Sequence, residues 1–191
     1  MSKFHDIYKT VTALRVACYR STPKAQAKFV DAVASVLVDA QASDFSKLKN
    51  GESMLYILWH LNQMHLVPSR VLTLETVTLR NKEGSCLIDW AARYGKLSEL
   101  PQVLCTLDRL LIPHPQSGVN PLAHAIWMGY SNQVSFLNPE AWVLLSQSER
   151  DSIIQLVGQM EKDKMRKVPI EVLALISQDC PQIDTRKWET L

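Results

Sequence analysis

The side chains of this 191-residue chain best suited to hold a metal or act as nucleophiles are its five histidines and four cysteines. Two histidines that share a zinc ion from one helix sit four residues apart, so that both rings leave the same face. His60 and His65 are five apart, and His5, His114 and His124 stand far from them, with no His-Glu-x-x-His run. Cys18, Cys86, Cys105 and Cys180 form no Cys-x-x-Cys pair. No metal or cofactor is therefore expected. Cys86 and Cys105 fall at apolar-periodic positions, where burial raises a thiol's pKa and suppresses its reactivity. Phosphate-binding loops, dinucleotide fingerprints and Gly-x-Ser-x-Gly elbows do not occur. The expectation is a non-enzyme. The alternative is a small enzyme, a hydrolase or transferase, with its site on the C-terminal helices.

What the chain does offer is chemistry of recognition. Three short runs, His60-Leu61, Arg93-Tyr94 and Trp127-Met128, each precede a glycine or asparagine: Asn62, Gly95 and Gly129. Aromatic residues, Arg and Met are enriched in protein interfaces and their hot spots. The elements that position these runs repeat. Gly51-Glu52-Ser53-Met54-Leu55, Gly84-Ser85-Cys86-Leu87-Ile88 and Gly118-Val119-Asn120-Pro121-Leu122 begin similar segments, with their glycines 33 and 34 positions apart. Small or apolar pairs follow: Leu58-Trp59, Ala91-Ala92 and Ala125-Ile126. The leading glycine suits positive φ in a tight turn. Ser53 and Asn120 suit a helix N-cap, Pro121 a first turn, and the apolar pairs a stripe that packs on neighbours. Asn62, Gly95 and Gly129 suit the left-handed residue that ends a helix. A fixed period of this length marks a solenoid.

This pattern resembles the ankyrin repeat over about residues 48–137, most closely in the middle copy. None of the three copies keeps the Thr or His of the family's Thr-Pro-Leu-His signature; Tyr56, Asp89 and Ala123 stand at the histidine position. The resemblance implies an all-α, ankyrin-like helical repeat solenoid. We read residues 1–191 as a single domain. Residues 1–46 form an N-terminal helical cap, 47–137 the repeats, and 138–191 a C-terminal helical cap. Helices are expected over about 4–20 and 24–41, the second capped by Thr22 ahead of Pro23. The outer segment of the first copy resumes as a helix over 69–78, with a short strand as the alternative. That of the second is a helix over 98–111. Further helices follow over 139–145, from Ser148 with Asp151 as reciprocal cap, and over 170–177.

The resemblance also implies a concave partner-binding face made of hairpin tips and the exposed side of each first helix. Translated to this chain, the tips are Lys49, Asn50 and Glu52, then Lys82, Glu83 and Ser85, then Gln116, Ser117 and Val119. The helix positions are His60, Arg93, Tyr94, Trp127 and Met128, with Arg93, Tyr94 and Trp127 at the centre. The expected role is a protein–protein interaction module: an adaptor, an inhibitor or a secreted effector. The partner is another protein. A net charge of +2 gives no argument for nucleic acid, and the basic run 162–167 is interrupted by Asp163. The N-terminus lacks the apolar core of a signal peptide, and no membrane insertion is expected. The unpaired cysteines suit a reducing compartment, the cytoplasm or a host cytosol. Self-association through the tail around Trp188 is a further option.

Overall fold

The computed structural model describes residues 3–20, 22–49, 51–162, 168–177 and 179, and they are mostly helical. Their one sheet is a hairpin with two residues per strand. The chain divides into two compact units, residues 1–87 and 88–191. No described helix is long and apolar enough to cross a membrane.

The first unit opens with α1 (Lys3–Arg20) packed on α2 (Pro23–Leu37). Ile7, Val11 and Leu14 recur at helical spacing and are fully buried, while Val16, on another face, is half exposed. Thr22 precedes α2 but its hydroxyl makes no cap bond; Pro23, with its preset φ, starts the helix. The helix stops at Leu37, four residues before the expected end. Arg70 reaches back to the chain beyond it, donating from Nε to the Ala40 carbonyl at 2.9 Å and from Nη2 to the Val38 carbonyl.

Next comes the hairpin of β1 (Leu48–Lys49) and β2 (Glu52–Ser53), with Lys49 opposite Glu52. Gly51 turns it at φ 76°. Its carbonyl accepts the Lys82 N–H at 2.9 Å, and a Cβ at Gly51 would lie 2.8 Å from Lys82 Cβ. The second tip therefore rests against the first where only glycine fits. Ser53 caps α3 (Met54–His60), accepting the Tyr56 N–H at 3.2 Å. Asn62, at φ 56°, ends that helix, and the Gln63 N–H closes on the Leu58 carbonyl at 2.8 Å. Two 3-10 turns follow, Met64–Leu66 and Ser69–Val71, and then α4 (Leu74–Val77), capped by Thr73.

Much of this order recurs twice, without the hairpin and, in the third copy, with one 3-10 turn in place of two. The second copy has Gly84 at φ 79°, α5 (Leu87–Arg93), and Gly95 at φ 68° with the Lys96 N–H on the Ala91 carbonyl at 2.8 Å. It continues through 3-10 turns Leu97–Glu99 and Gln102–Leu104 to α6 (Leu107–Leu110). The third has Gly118 at φ 72° and Asn120 capping α7 (Pro121–Trp127) through the Ala123 N–H at 2.7 Å. Gly129, at φ 79°, ends α7, and the Tyr130 N–H closes on the Ala125 carbonyl at 2.7 Å. A 3-10 turn Ser131–Gln133 and α8 (Pro139–Trp142), capped by Asn138, complete it.

The outer segments differ from expectation. Neither 69–78 nor 98–111 is one helix; the first holds one 3-10 turn and a four-residue helix, and the second parts of two 3-10 turns and a four-residue helix. The breaks before α4 and α6 fall at Thr73 and Thr106, both extended, while Pro68 and Pro101 end the turns ahead of them. Proline cannot donate to the ladder and drives the preceding residue out of helical geometry. Val67 and Leu100 are accordingly extended, with ψ 119° and 148°.

In the second unit, α7 packs on α9 (Gln147–Lys162), with Leu122, Ile126, Ile153, Val157 and Met160 buried. The capping box of α9 is not Ser148 with Asp151. It is Ser146, whose Oγ accepts the Glu149 N–H at 3.3 Å, while Glu149 Oε2 accepts the Ser146 N–H at 2.8 Å. The helix α10 (Ile170–Ser177) matches its expected range. Buried Trp142 donates from Nε1 to Asp179 at 2.7 Å, and Arg150 pairs with the same carboxylate at 3.3 Å. The readings placed on 163–167, Cys180 and Trp188 lie outside the described residues.

Candidate functional site

The tip residues are held mainly by their own backbone. At the second tip, Asn81 Oδ1 accepts the N–H groups of Glu83 and Ser85, each at 2.9 Å, leaving Lys82 and Glu83 exposed and Ser85 half-buried. At the third, His114 Nδ1 does the same for Gln116 and Ser117, at 3.2 and 3.3 Å, and both residues are exposed. Asn81 and His114 stand 33 positions apart and perform one local task with different side chains. At the first tip, Glu52 is half-buried and pairs with Arg15 of α1 at 2.8 Å. The backbone of Lys49 ends β1, and Asn50 lies outside the described residues.

His60, exposed at the end of α3, sits edge-on to Tyr56 and Trp59, with ring centroids 4.4 and 5.3 Å away. Partial burial lowers its pKa, Arg15 lowers it further, and Glu52 opposes both. The first copy's polar groups are thus largely engaged within their own unit.

The second unit presents a different arrangement. On α5, Trp90 and Tyr94 stack with centroids 5.5 Å apart and planes at 13°. The Arg93 guanidinium lies 5.7 Å from the Trp90 centroid and 5.9 Å from that of Tyr94, within cation–π range. Arg93 is exposed, Tyr94 is 47% exposed and Trp90 is half-buried. On α7, Trp127 is half-buried and stacked on His124, with centroids 6.2 Å apart and planes at 9°, and Met128 is 38% exposed. His124 lies within electrostatic reach of α5. Burial lowers its pKa first, Arg93 second; Asp89 raises it, and His114 lowers it. Gly95 and Tyr130 also join the two copies. A Cβ at Gly95 would lie 2.6 Å from the Tyr130 ring.

The structure thus brings Arg93 and Tyr94 together at the C-terminal end of α5 and places Trp127 and Met128 at that of α7. Sequence reasoning missed Trp90, Asp89, His114 and His124. Helical spacing would have found two of them, because Trp90 lies four residues before Tyr94 and His124 three before Trp127.

A cleft of about 640 Å³ lies between the third copy and α10, bounded by Leu137, Asn138, Pro169, Ala174 and Leu175 among others. Glu171 is the one titratable side chain among its lining residues. A smaller cleft of about 190 Å³ reaches Cys105. Burial pushes that thiol up to about 11, outweighing the opposite pull of Arg109, so it is protonated at neutral pH. Among the described residues, no three His, Cys, Asp or Glu side chains are grouped to hold a metal ion. Comparison with family models, curated proteins and solved structures finds no match to this chain.

Proposed function

We propose that this chain is a protein–protein interaction module of the ankyrin-like solenoid kind, with helical caps at both ends, working as an adaptor, inhibitor or effector. The partner is another protein, and the setting is a reducing cytosol, its own or a host's. The recurrence of turn glycine, seven-residue helix, left-handed stop and short outer turns at intervals of 32 to 34 residues supports the repeat reading. The broken outer segments are a departure from it.

One observation carries the binding role: Arg93 and Tyr94 are exposed against the half-buried indole of Trp90. Large aromatic rings around an arginine are the composition of interface hot spots. The rival enzyme reading calls for a cleft with convergent titratable groups. The cleft beside α10 offers Glu171 alone, which favours the binder.

The test is alanine substitution at Arg93, Tyr94 and Trp127 in turn, followed by affinity capture from the native cell and mass spectrometry. A partner captured by the wild type and lost with at least one variant is expected. Unchanged capture by all three overturns the assignment of this face.

A further inference from the structure

Resting on that reading, we propose that Arg93 is a carboxylate anchor: it seats an Asp or Glu side chain from an acidic segment of the partner protein, while the Trp90–Tyr94 stack takes an adjoining apolar side chain.

The argument begins with an unused charge. Among the described residues, Arg93 makes no ion pair or hydrogen bond; its guanidinium lies over the rings of Trp90 and Tyr94. Five other cations among the described residues are engaged: Arg15 with Glu52, Lys96 with Glu99, Arg150 with Asp179, and Arg70 and Arg109 with backbone carbonyls. A guanidinium lying over two rings has its rotamer freedom reduced and its N–H fork still open. That fork matches a carboxylate in two parallel bonds, and ordering it beforehand lessens the entropy lost on binding.

Charge then selects the anion. The surrounding groups supply little further positive potential. His124 is kept neutral by burial and by Arg93 itself, and Asp89 lies one turn before Arg93 on the same helix. A dianionic phosphate needs more than one cation to offset its desolvation, whereas one guanidinium balances one carboxylate. Beside the fork, the stacked Trp90 and Tyr94, the latter 47% exposed, give a hydrocarbon surface, so the occupant pairs an acid with an aromatic or aliphatic residue.

The full-length protein is used to select from a phage-displayed library of random short peptides, and the selected sequences are synthesised and titrated by fluorescence polarisation. The expected peptides pair Asp or Glu with an apolar residue. Arg93→Gln weakens them at least about tenfold, Arg93→Lys weakens them less, and added salt weakens them on the wild type. Circular dichroism of each variant should match the wild type, because Arg93 is exposed. Peptides that depend on Tyr94 or Trp127 but tolerate Arg93→Gln overturn the carboxylate anchor and leave the interaction module standing. So do peptides that tolerate replacement of their acid by Asn or Gln, or that bind more tightly when phosphorylated. Peptides insensitive to every substitution on this face overturn both proposals.

Discussion

The first and second copies of the repeated segment share a backbone and differ in what they do with charge. Each has a turn glycine, a seven-residue helix and a left-handed stop, at Asn62 in one and Gly95 in the other. In the first, Glu52 is paired with Arg15 and His60 is packed edge-on to Tyr56 and Trp59. In the second, the residue equivalent to His60 is Arg93, laid over two rings with its donors open. The lesson is that repetition fixes where a side chain emerges, while local sequence decides whether it is consumed by the fold or left for a partner.

The largest expected effect comes from breaking the shared backbone. Gly95→Ala places a methyl 2.6 Å from the Tyr130 ring at φ 68°. Left-handed strain and overpacking together cost about 2–4 kcal/mol, read by urea denaturation. Gly129→Ala, at a similar φ but with nothing within 4 Å, isolates the strain, about 1 kcal/mol. Adding Tyr130→Ala to Gly95→Ala should recover part of the difference, and additive losses would show that the ring contact does not matter. At the equivalent position of the first copy, Asn62→Gly should be close to neutral, because Asn tolerates the conformation Gly prefers.

Caps come next. Asn120→Ala removes the bond from the Ala123 N–H and should cost about 1 kcal/mol. Ser53→Ala should cost a similar amount through Tyr56. Thr106 makes no cap bond, so Thr106→Ala should have little effect by the same assay.

These positions also show what was legible in the sequence. Ser53, Asn120, Asn62, Gly95 and Gly129 are small or turn-forming residues at fixed offsets, and each stands in the local conformation its type dictates. The outer segments were not legible. Their leucines and valines suggest helical stripes, but the chain turns extended at Thr73 and Thr106, where β-branched threonine sits ahead of a new short helix, and a pattern of apolar spacing does not register that. The cap of α9 was misplaced because Ser146 and Ser148 are each followed three residues later by an acid; the longer Glu149 side chain makes the reciprocal bond. Of the candidate site, Arg93 and Tyr94 were visible as residue types before a stop. The stack with Trp90 was not, because it needs the helix to be built before the rings can be seen to meet.

A smaller effect sharpens the contrast in charge. A double-mutant cycle on Arg15 and Glu52 should give about 0.5 kcal/mol of coupling, reduced by salt, because the pair is partly exposed. Arg93→Ala should change stability by less than about 0.5 kcal/mol, because no ion pair is lost. A larger loss at Arg93 than at Arg15 would reverse the comparison, making the second copy's cation structural.

The smallest effect is a pH dependence, and its sign follows from burial. The folded-state pKa of His124 is lowered, chiefly by burial and then by Arg93, against the pull of Asp89. Near pH 6.5 the unfolded chain therefore takes up a proton that the folded chain does not. The contribution of neutral His124 is complete above about pH 6.5, is lost as the pH falls from there through the folded pKa, and then levels off. His60 shifts in the same direction for the same first cause, but its ring is exposed at the end of α3. Denaturation curves taken between neutral and mildly acid pH should therefore flatten more with His124→Gln than with His60→Gln. Equal flattening would mean that the buried imidazole beside Arg93 is no more costly to charge than the one beside Arg15. The second unit's face would then be wetter than its packing indicates.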